Sequence, residues 1–311
     1  MSLPPPTRAE PHSAPHQGAG RTGGGRAPAP SGRLLGRLGR LGPLGRLGSG
    51  SPGRGWLRSG GLGLAGLAGF AALLEAVPRT GVVNDAFLPP TSRILAELAR
   101  QAQQAPLWTA VRETLATWLV GLVIAVVAAG VVGIAIGSVP LLRAATASTV
   151  EFLRPIPSVA WIPVAIVLYG PTRAGTLLIV VYAAFWQMLV QVLHGVVDVD
   201  PVAQDTARAY RLGRWARIRW LTWPTALPYV VTGVRLAATV ALILTVTGEL
   251  FIGTPGLGQS IRAAADGNAV TLVYALVVVT GVVGVGANLL FRVTERRLLA
   301  WHPSVRREVP A

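Results

Sequence analysis

Lysine and cysteine are both absent from the 311 residues, and histidine occurs only as His12, His16, His194 and His302. Each gap removes a chemistry. Without lysine there is no Walker A loop, whose lysine reaches the bound phosphates, and no Schiff-base amine. Without cysteine there are no disulfides, thiolate nucleophiles, cysteine-ligated zinc sites or iron–sulfur clusters. The scattered histidines show no H-E-x-x-H spacing, so no metal site is expected. Charge is scarce as well: 13% of residues are charged, against about 25% in a soluble domain. With a mean hydropathy of +0.53, the bilayer is the expected solvent. What charge there is leans one way, with a formal net of +15 carried entirely by arginine, a bias read as base composition in the coding DNA.

Residues 1–55 are rich in Pro, Gly, Arg and Ser. They cannot bury enough apolar surface to offset the cost of ordering, so they are expected to be disordered. Near-helical repeats of Arg and Leu in this tail suit weak contact with anionic lipid. A translation start further along the chain is a second reading. Nucleic-acid binding is a third and is not favoured, because no aromatic precedes Trp56 to stack on bases. No short charged region leads straight into an apolar run, as a signal peptide requires.

From residue 56 onward, apolar runs near the roughly 20 residues needed to span a membrane occur at Gly60–Val77, Thr114–Gly137, Thr149–Tyr169, Ala174–Leu193, Tyr229–Ile252 and Val270–Phe291. Six spans are therefore expected. Arginines crowd the stretch before the first span, the connection between the fourth and fifth, and the C-terminus, where Arg292, Arg296, Arg297, Arg306 and Arg307 lie. The alternate connections carry Arg173 alone, then Arg262 alone, and Pro78–Glu113 balances its arginines with Asp85, Glu97 and Glu113. By the positive-inside rule, both termini and the connection from Asp200 to Pro228 are expected in the cytoplasm.

That connection reads D-P-V-A-Q-D-T-A-R-A-Y-R-L-G-R-W-A-R-I-R-W-L-T-W-P-T-A-L-P. Asp200-Pro201 is an N-cap followed by N1, and Asp205 sits early, where negative charge suits the helix dipole. Gly213 is expected to end or turn the first helix. A second short helix follows, with Pro224 and Pro228 expected to stop it and re-aim the chain. Trp215, Trp220 and Trp223 suit the headgroup region. On these residues alone, an interfacial anchor and a docking element for a soluble partner are equally good readings.

The segment resembles the cytoplasmic signature (EAA) loop of bacterial ABC importer permeases, most closely the sulfonate/nitrate/taurine branch, D-P-x-x-x-E-x-A-R-x-x-G followed by L-P-x-A-L-P. Asp200, Pro201, Ala207, Arg208, Pro224, Ala226, Leu227 and Pro228 match without gaps. Asp205 replaces the usual Glu, Arg211 stands where the turn glycine is usual, and Trp223 replaces a leucine. The resemblance runs over about residues 80–305: L-P-P-T-S-R-I-L from Leu88, L-R-P-I-P-S-V-A-W-I-P from Leu153, T-G-V-R from Thr232 and G-E-L-F-I-G-T-P-G-L-G from Gly248 also fit. It implies an all-α integral membrane protein of about six transmembrane helices, with the type I ABC importer permease fold and a cytoplasmic coupling-helix loop, in the bacterial plasma membrane. It further implies a permease homodimer, an ATP-binding cassette subunit carrying ATP and Mg, and an external substrate-binding protein. No cofactor and no catalysis are expected on this chain. Asp205, Ala207, Arg208, Arg211, Gly213, Pro224 and Pro228 become the expected ATPase-coupling positions, with Ala207 allowing close approach. The branch carries small anions such as alkanesulfonates, taurine and nitrate, and some thiamine-precursor pyrimidines.

Arg154 with Pro155, Pro157 and Pro163 opens the third run. Proline within a span marks a bent helix lining a cavity or packed on protein, so a pore-lining bend is expected, with a packing kink as the plainer alternative. Glu249, near the outer end of the fifth run, is costly there unless paired or wet; a place on the pathway or gate and an interfacial pairing with Arg262 are both open. Arg235 is expected to snorkel. An integral-membrane enzyme would need paired carboxylates or histidines, and an ATPase-independent transporter would need several ionisable groups within the spans. The sequence offers neither pattern.

Overall fold

The computed structural model describes residues 52–81, 84 and 86–299. The chain divides into a unit Met1–Gly61 and a unit Leu62–Ala311. Of the first, only the opening turns of one helix are described, so the expected tail over residues 1–55 lies almost wholly outside the described residues, as do Arg306 and Arg307.

The described residues form helices and no strand. In order they are α1 (Pro52–Arg79), α2 (Thr91–Ala102), α3 (Ala105–Ser138), α4 (Pro140–Leu153), a 3₁₀ turn (Ser158–Trp161) running into α5 (Ile162–Tyr169), α6 (Arg173–Val197), α7 (Pro201–Ala209), α8 (Arg214–Arg217), a π turn (Ile218–Thr222) running into α9 (Trp223–Ile252), α10 (Leu257–Asp266) and α11 (Val270–Leu298). Five are long and apolar enough to cross a bilayer: Gly61–Arg79, Ala105–Ser138, Arg173–Val197, Trp215–Ile252 and Val270–Leu298. The sixth expected span is not one helix over Thr149–Tyr169. It is α4 and the Ser158–Tyr169 helix meeting at 82°. Proline explains the break. Pro155 and Pro157 donate no N–H, and their rings oppose the carbonyls one turn back. The Leu153 carbonyl, which Pro157 cannot bond, accepts the Tyr182 hydroxyl of α6 at 2.9 Å.

At the centre α6 packs between α3 and α9. Small residues set these distances, as they must where apolar helices meet in an apolar solvent. A Cβ on Gly121, Gly133 or Gly137 of α3 would lie 2.6, 2.7 and 2.9 Å from Val180, Val192 and Val196 of α6. On the other side Gly195 of α6 abuts Ala226, Gly233 of α9 abuts Met188, and Gly248 abuts Thr176. The Trp118 indole N–H of α3 donates to the Ala238 carbonyl of α9 at 2.8 Å. Ala125, Ala129, Ile179, Val180, Ala184 and Ala237 in this core are wholly enclosed. Large apolar side chains such as Val123, Val127 and Val131 on α3 and Val282, Val285 and Leu289 on α11 point outward, the pattern of a chain whose solvent is lipid.

A second cluster closes the end of the bundle where α3 begins and α9 finishes: Leu107, Ala110 and Val111 meet Leu257 and Ala264 of α10 and Leu276 of α11. The α7–α8 segment joins the C-terminal end of α6 to the start of α9, so it lies at the opposite end. Glu75 of α1 accepts from the Ser92 backbone N–H and hydroxyl, both at 2.9 Å, holding the amides that open α2.

Candidate functional site

The Asp200–Pro228 segment begins as its residues dictate. Asp200 caps α7, its carboxylate accepting the Val202 N–H at 2.8 Å, with Pro201 at N1. The helix is sided. Ala203, Gln204 and Ala207 turn inward, Ala207 being buried, while Val202, Asp205, Thr206 and Ala209 form an exposed stripe at i, i+3, i+4 and i+7. Ala207 is thus covered by the chain itself and is not on the free face. Arg208 and Asp205, both exposed, pair with each other at 3.0 Å.

Arg211 and Gly213 exchange their expected roles. Arg211 has φ +53°, its N–H donates to the Arg208 carbonyl, and the Leu212 N–H donates to the Ala207 carbonyl, both at 2.9 Å. These two bonds make a Schellman terminus with Arg211 at the left-handed position that glycine normally takes. Gly213 does not turn the chain. Its carbonyl accepts the Arg217 N–H at 3.0 Å and starts α8.

The prolines do not stop the second helix either. Trp215–Ile252 runs on as one helical stretch. The π turn, in which the Trp223 N–H reaches back to the Ile218 carbonyl, widens the backbone just ahead of Pro224. The clash that Pro224 makes in regular α geometry is thereby relieved, and Pro228 is carried inside α9. Tyr210, Trp215 and Trp220 stand 79, 82 and 72% exposed.

The other expected cluster lies on the bend. Arg154 ends α4, and Pro155 and Pro157, all exposed, occupy the non-helical link. Behind it Trp161 packs on Tyr182, and Tyr182 on Trp186, with ring centroids 5.4 and 6.0 Å apart.

A protein family described as the binding-protein-dependent transport system inner membrane component matches residues 121–300. The chain belongs to that family. Among curated relatives, the taurine transport system permease protein TauC of Escherichia coli is 29% identical over 250 residues, covering 78% of this chain and 90% of TauC. The putative aliphatic sulfonates transport permease protein SsuC of Bacillus subtilis is 25% identical over 256 residues, covering 81% and 91%. The fold matches a chain of the inward-facing MetNI methionine ABC transporter with a TM-score of 0.52 and 18% identity, over 62% of this chain and 95% of that one. The chain is thus a transport permease and not an enzyme.

At the opposite end of this permease, Glu249 is wholly enclosed. Its Oε2 accepts the Thr114 hydroxyl at 2.9 Å and the Gly258 N–H at 3.0 Å, and the Thr114 oxygen in turn accepts the Leu257 N–H at 2.8 Å. Glu249 and Thr114 thus cap α10 from α9 and α3. Arg262 is not its partner. The guanidinium turns to Asp266 at 3.6 Å, because the G-L-G backbone brings amides to the carboxylate first. A Cβ on Gly256 would lie 2.2 Å from the Glu249 carboxyl carbon. Arg235 pairs with Glu295 of α11 at 2.8 Å rather than only snorkelling. Sequence reasoning missed Thr114, Thr176 and Thr254, the last two bonded at 2.8 Å. Buried threonines in apolar runs are the one signal that could have flagged them. It also missed the pairing of Arg173 with Glu113, which joins α6 to α3.

Proposed function

We propose that this permease forms the translocation path of an ATP-driven importer for a small anion of the alkanesulfonate, taurine or nitrate class, delivered by an external binding protein. The observation that carries the reading is α7: a sided, capped helix with Ala207 buried and Val202, Asp205, Thr206 and Ala209 left uncovered. A short capped helix with a free face, set in the link between two spans, is suited to sit in a groove on a separate body. An ATP-binding cassette subunit carrying ATP and Mg is that body. This chain has no lysine for a phosphate loop of its own. Closure of a pair of such subunits moves α7, and the continuous α8–α9 helix passes the movement into the bundle as a hinge-type switch. Two copies of the permease enclose the path. The loop and both termini face the cytoplasm, by the arginine distribution.

The anion class is supported by the names of the relatives, TauC and SsuC. Two measurements test the proposal. Replacing Ala209 by Trp on the exposed stripe is expected to lower both transport and binding-protein-stimulated ATPase activity about five- to thirtyfold, since a misfit at a docked helix costs ~1–2 kcal/mol, with membrane insertion unchanged. Full activity in that variant refutes coupling through α7. A thermal-shift screen of the binding protein encoded beside this chain is expected to show stabilisation by sulfonates or nitrate; stabilisation by sugars or peptides alone refutes the anion class.

A further inference from the structure

A cavity of about 970 Å³ lies beside the signature loop and is not explained by docking of α7. Its wall runs along one face of α3 from Val126 through Gly130 and Ile134 to Gly137. At 1.5 Å per residue this gives a depth of about 17 Å. Met188 of α6 and Val230 of α9 close the deep end, and the wall there is apolar throughout. The mouth is different. Arg143 of α4, Arg217 of α8 and Arg208 of α7 line it, and no acidic side chain does. Arg208 is already paired with Asp205. Arg217 has its Nε buried without a hydrogen-bond partner among the described residues. Trp223 stands at the mouth too, in line with exposed Trp215 and Trp220, and tryptophan gathers at headgroup depth.

A long apolar slot under an arginine pair, at the level of an aromatic belt, has the polarity of a phospholipid. Free taurine or nitrate has no tail to fill the slot, and a basic pocket between spans is the usual setting for an anionic headgroup. We propose that one acyl chain of an anionic phospholipid lies in this cavity, with its phosphate held by Arg143 and Arg217. The lipid then wedges the π turn and α8 against the end of α3, setting how firmly the signature loop is held to the bundle.

Gly130 provides the test. A Cβ there meets nothing within 4 Å, so Gly130→Leu starts into open space and projects its branched end into the slot, whereas Gly130→Ala barely occupies it. The full chain, purified and stripped of lipid in mild detergent, is titrated with dioleoyl-phosphatidylglycerol or dioleoyl-phosphatidylcholine and read by native mass spectrometry. The wild type and Gly130→Ala are expected to retain phosphatidylglycerol about tenfold better than phosphatidylcholine, because the latter sets its own choline cation against the two arginines. Gly130→Leu is expected to lose bound lipid of both kinds. Arg143→Gln/Arg217→Gln is expected to lose only the preference. Equal retention of the two lipids by the wild type, or unchanged retention in Gly130→Leu, overturns the proposal. So does displacement of phosphatidylglycerol by millimolar inorganic phosphate, which marks a free-anion site, or by the ATPase subunit, which marks a protein-filled one. Circular dichroism of each variant establishes that lost binding is not lost helix.

Discussion

Arg211 holds a left-handed backbone that costs an L-residue about 1 kcal/mol relative to glycine. Arg211→Gly is therefore expected to strengthen the end of α7. The gain is ~0.5–1 kcal/mol after allowing for the freer unfolded chain, and it is read as two- to fivefold slower hydrogen exchange at the Leu212 amide. Arg211→Val, β-branched at the same φ, is expected to speed that exchange. Unchanged rates in both variants would mean that the Schellman bonds do not hold the turn. Glu249 matters through the amide it caps. Glu249→Ala strands the Gly258 N–H and the Thr114 hydroxyl in an apolar site and opens a void, a loss of about 3 kcal/mol. Glu249→Gln keeps one acceptor and is expected to cost less than half of that; the order of melting temperatures in detergent checks it. Part of this was legible in the sequence. Asp200-Pro201 announced a cap because a cap is made with residues two or three positions away. Glu249 announced only its own cost. Its partner Thr114 is 135 residues distant, and no local pattern specifies a contact over that span.

Among the elements, α3 and α6 approach as closely as glycine permits. Gly121→Ala puts a methyl 2.6 Å from a Val180 methyl carbon and is expected to cost ~1–3 kcal/mol as the helices part. Gly130→Ala, on the open face of the same helix, is expected to cost nothing. A difference in thermal aggregation temperature between the two variants checks the pair; equal behaviour would show that α3 does not pack on α6 through Gly121. Hydropathy placed five of the six spans because length and apolarity are local quantities. The sixth, Thr149–Tyr169 with a proline bend at its start, is there as a broken span, and α4 carries it back to Pro140. The prolines marked the break, but the 82° angle is set by packing on α6, where Tyr182 takes up the Leu153 carbonyl. Pro224 and Pro228 misled in the opposite direction: a π turn, which leaves no signature in the sequence, absorbs Pro224, and Pro228 stands inside α9.

For the whole molecule, sidedness is the open quantity, and the missing cysteines make it easy to measure. Any cysteine introduced is the sole thiol of the chain. Thr206→Cys, on the exposed stripe of α7, is expected to react with a membrane-impermeant maleimide only after cells are opened. Gln259→Cys, exposed on α10, is expected to react in intact cells. The reverse pattern inverts the topology.

The stretch from Trp215 to Ile252 counts 38 residues, about 57 Å of helix where the hydrocarbon layer measures about 30 Å. It is a pushrod with a head on each side of the membrane. One head carries the signature loop, and the other carries the carboxylate that seats α10. A rod of this kind cannot store a displacement along its length. It can only tilt or slide, and it can flex where its regular hydrogen bonding is interrupted, at the π turn and at Pro228. Under the coupling proposed above, an impulse delivered at the loop is expected to reach the α10 cap within the same stroke, the two faces keeping time through one continuous helix.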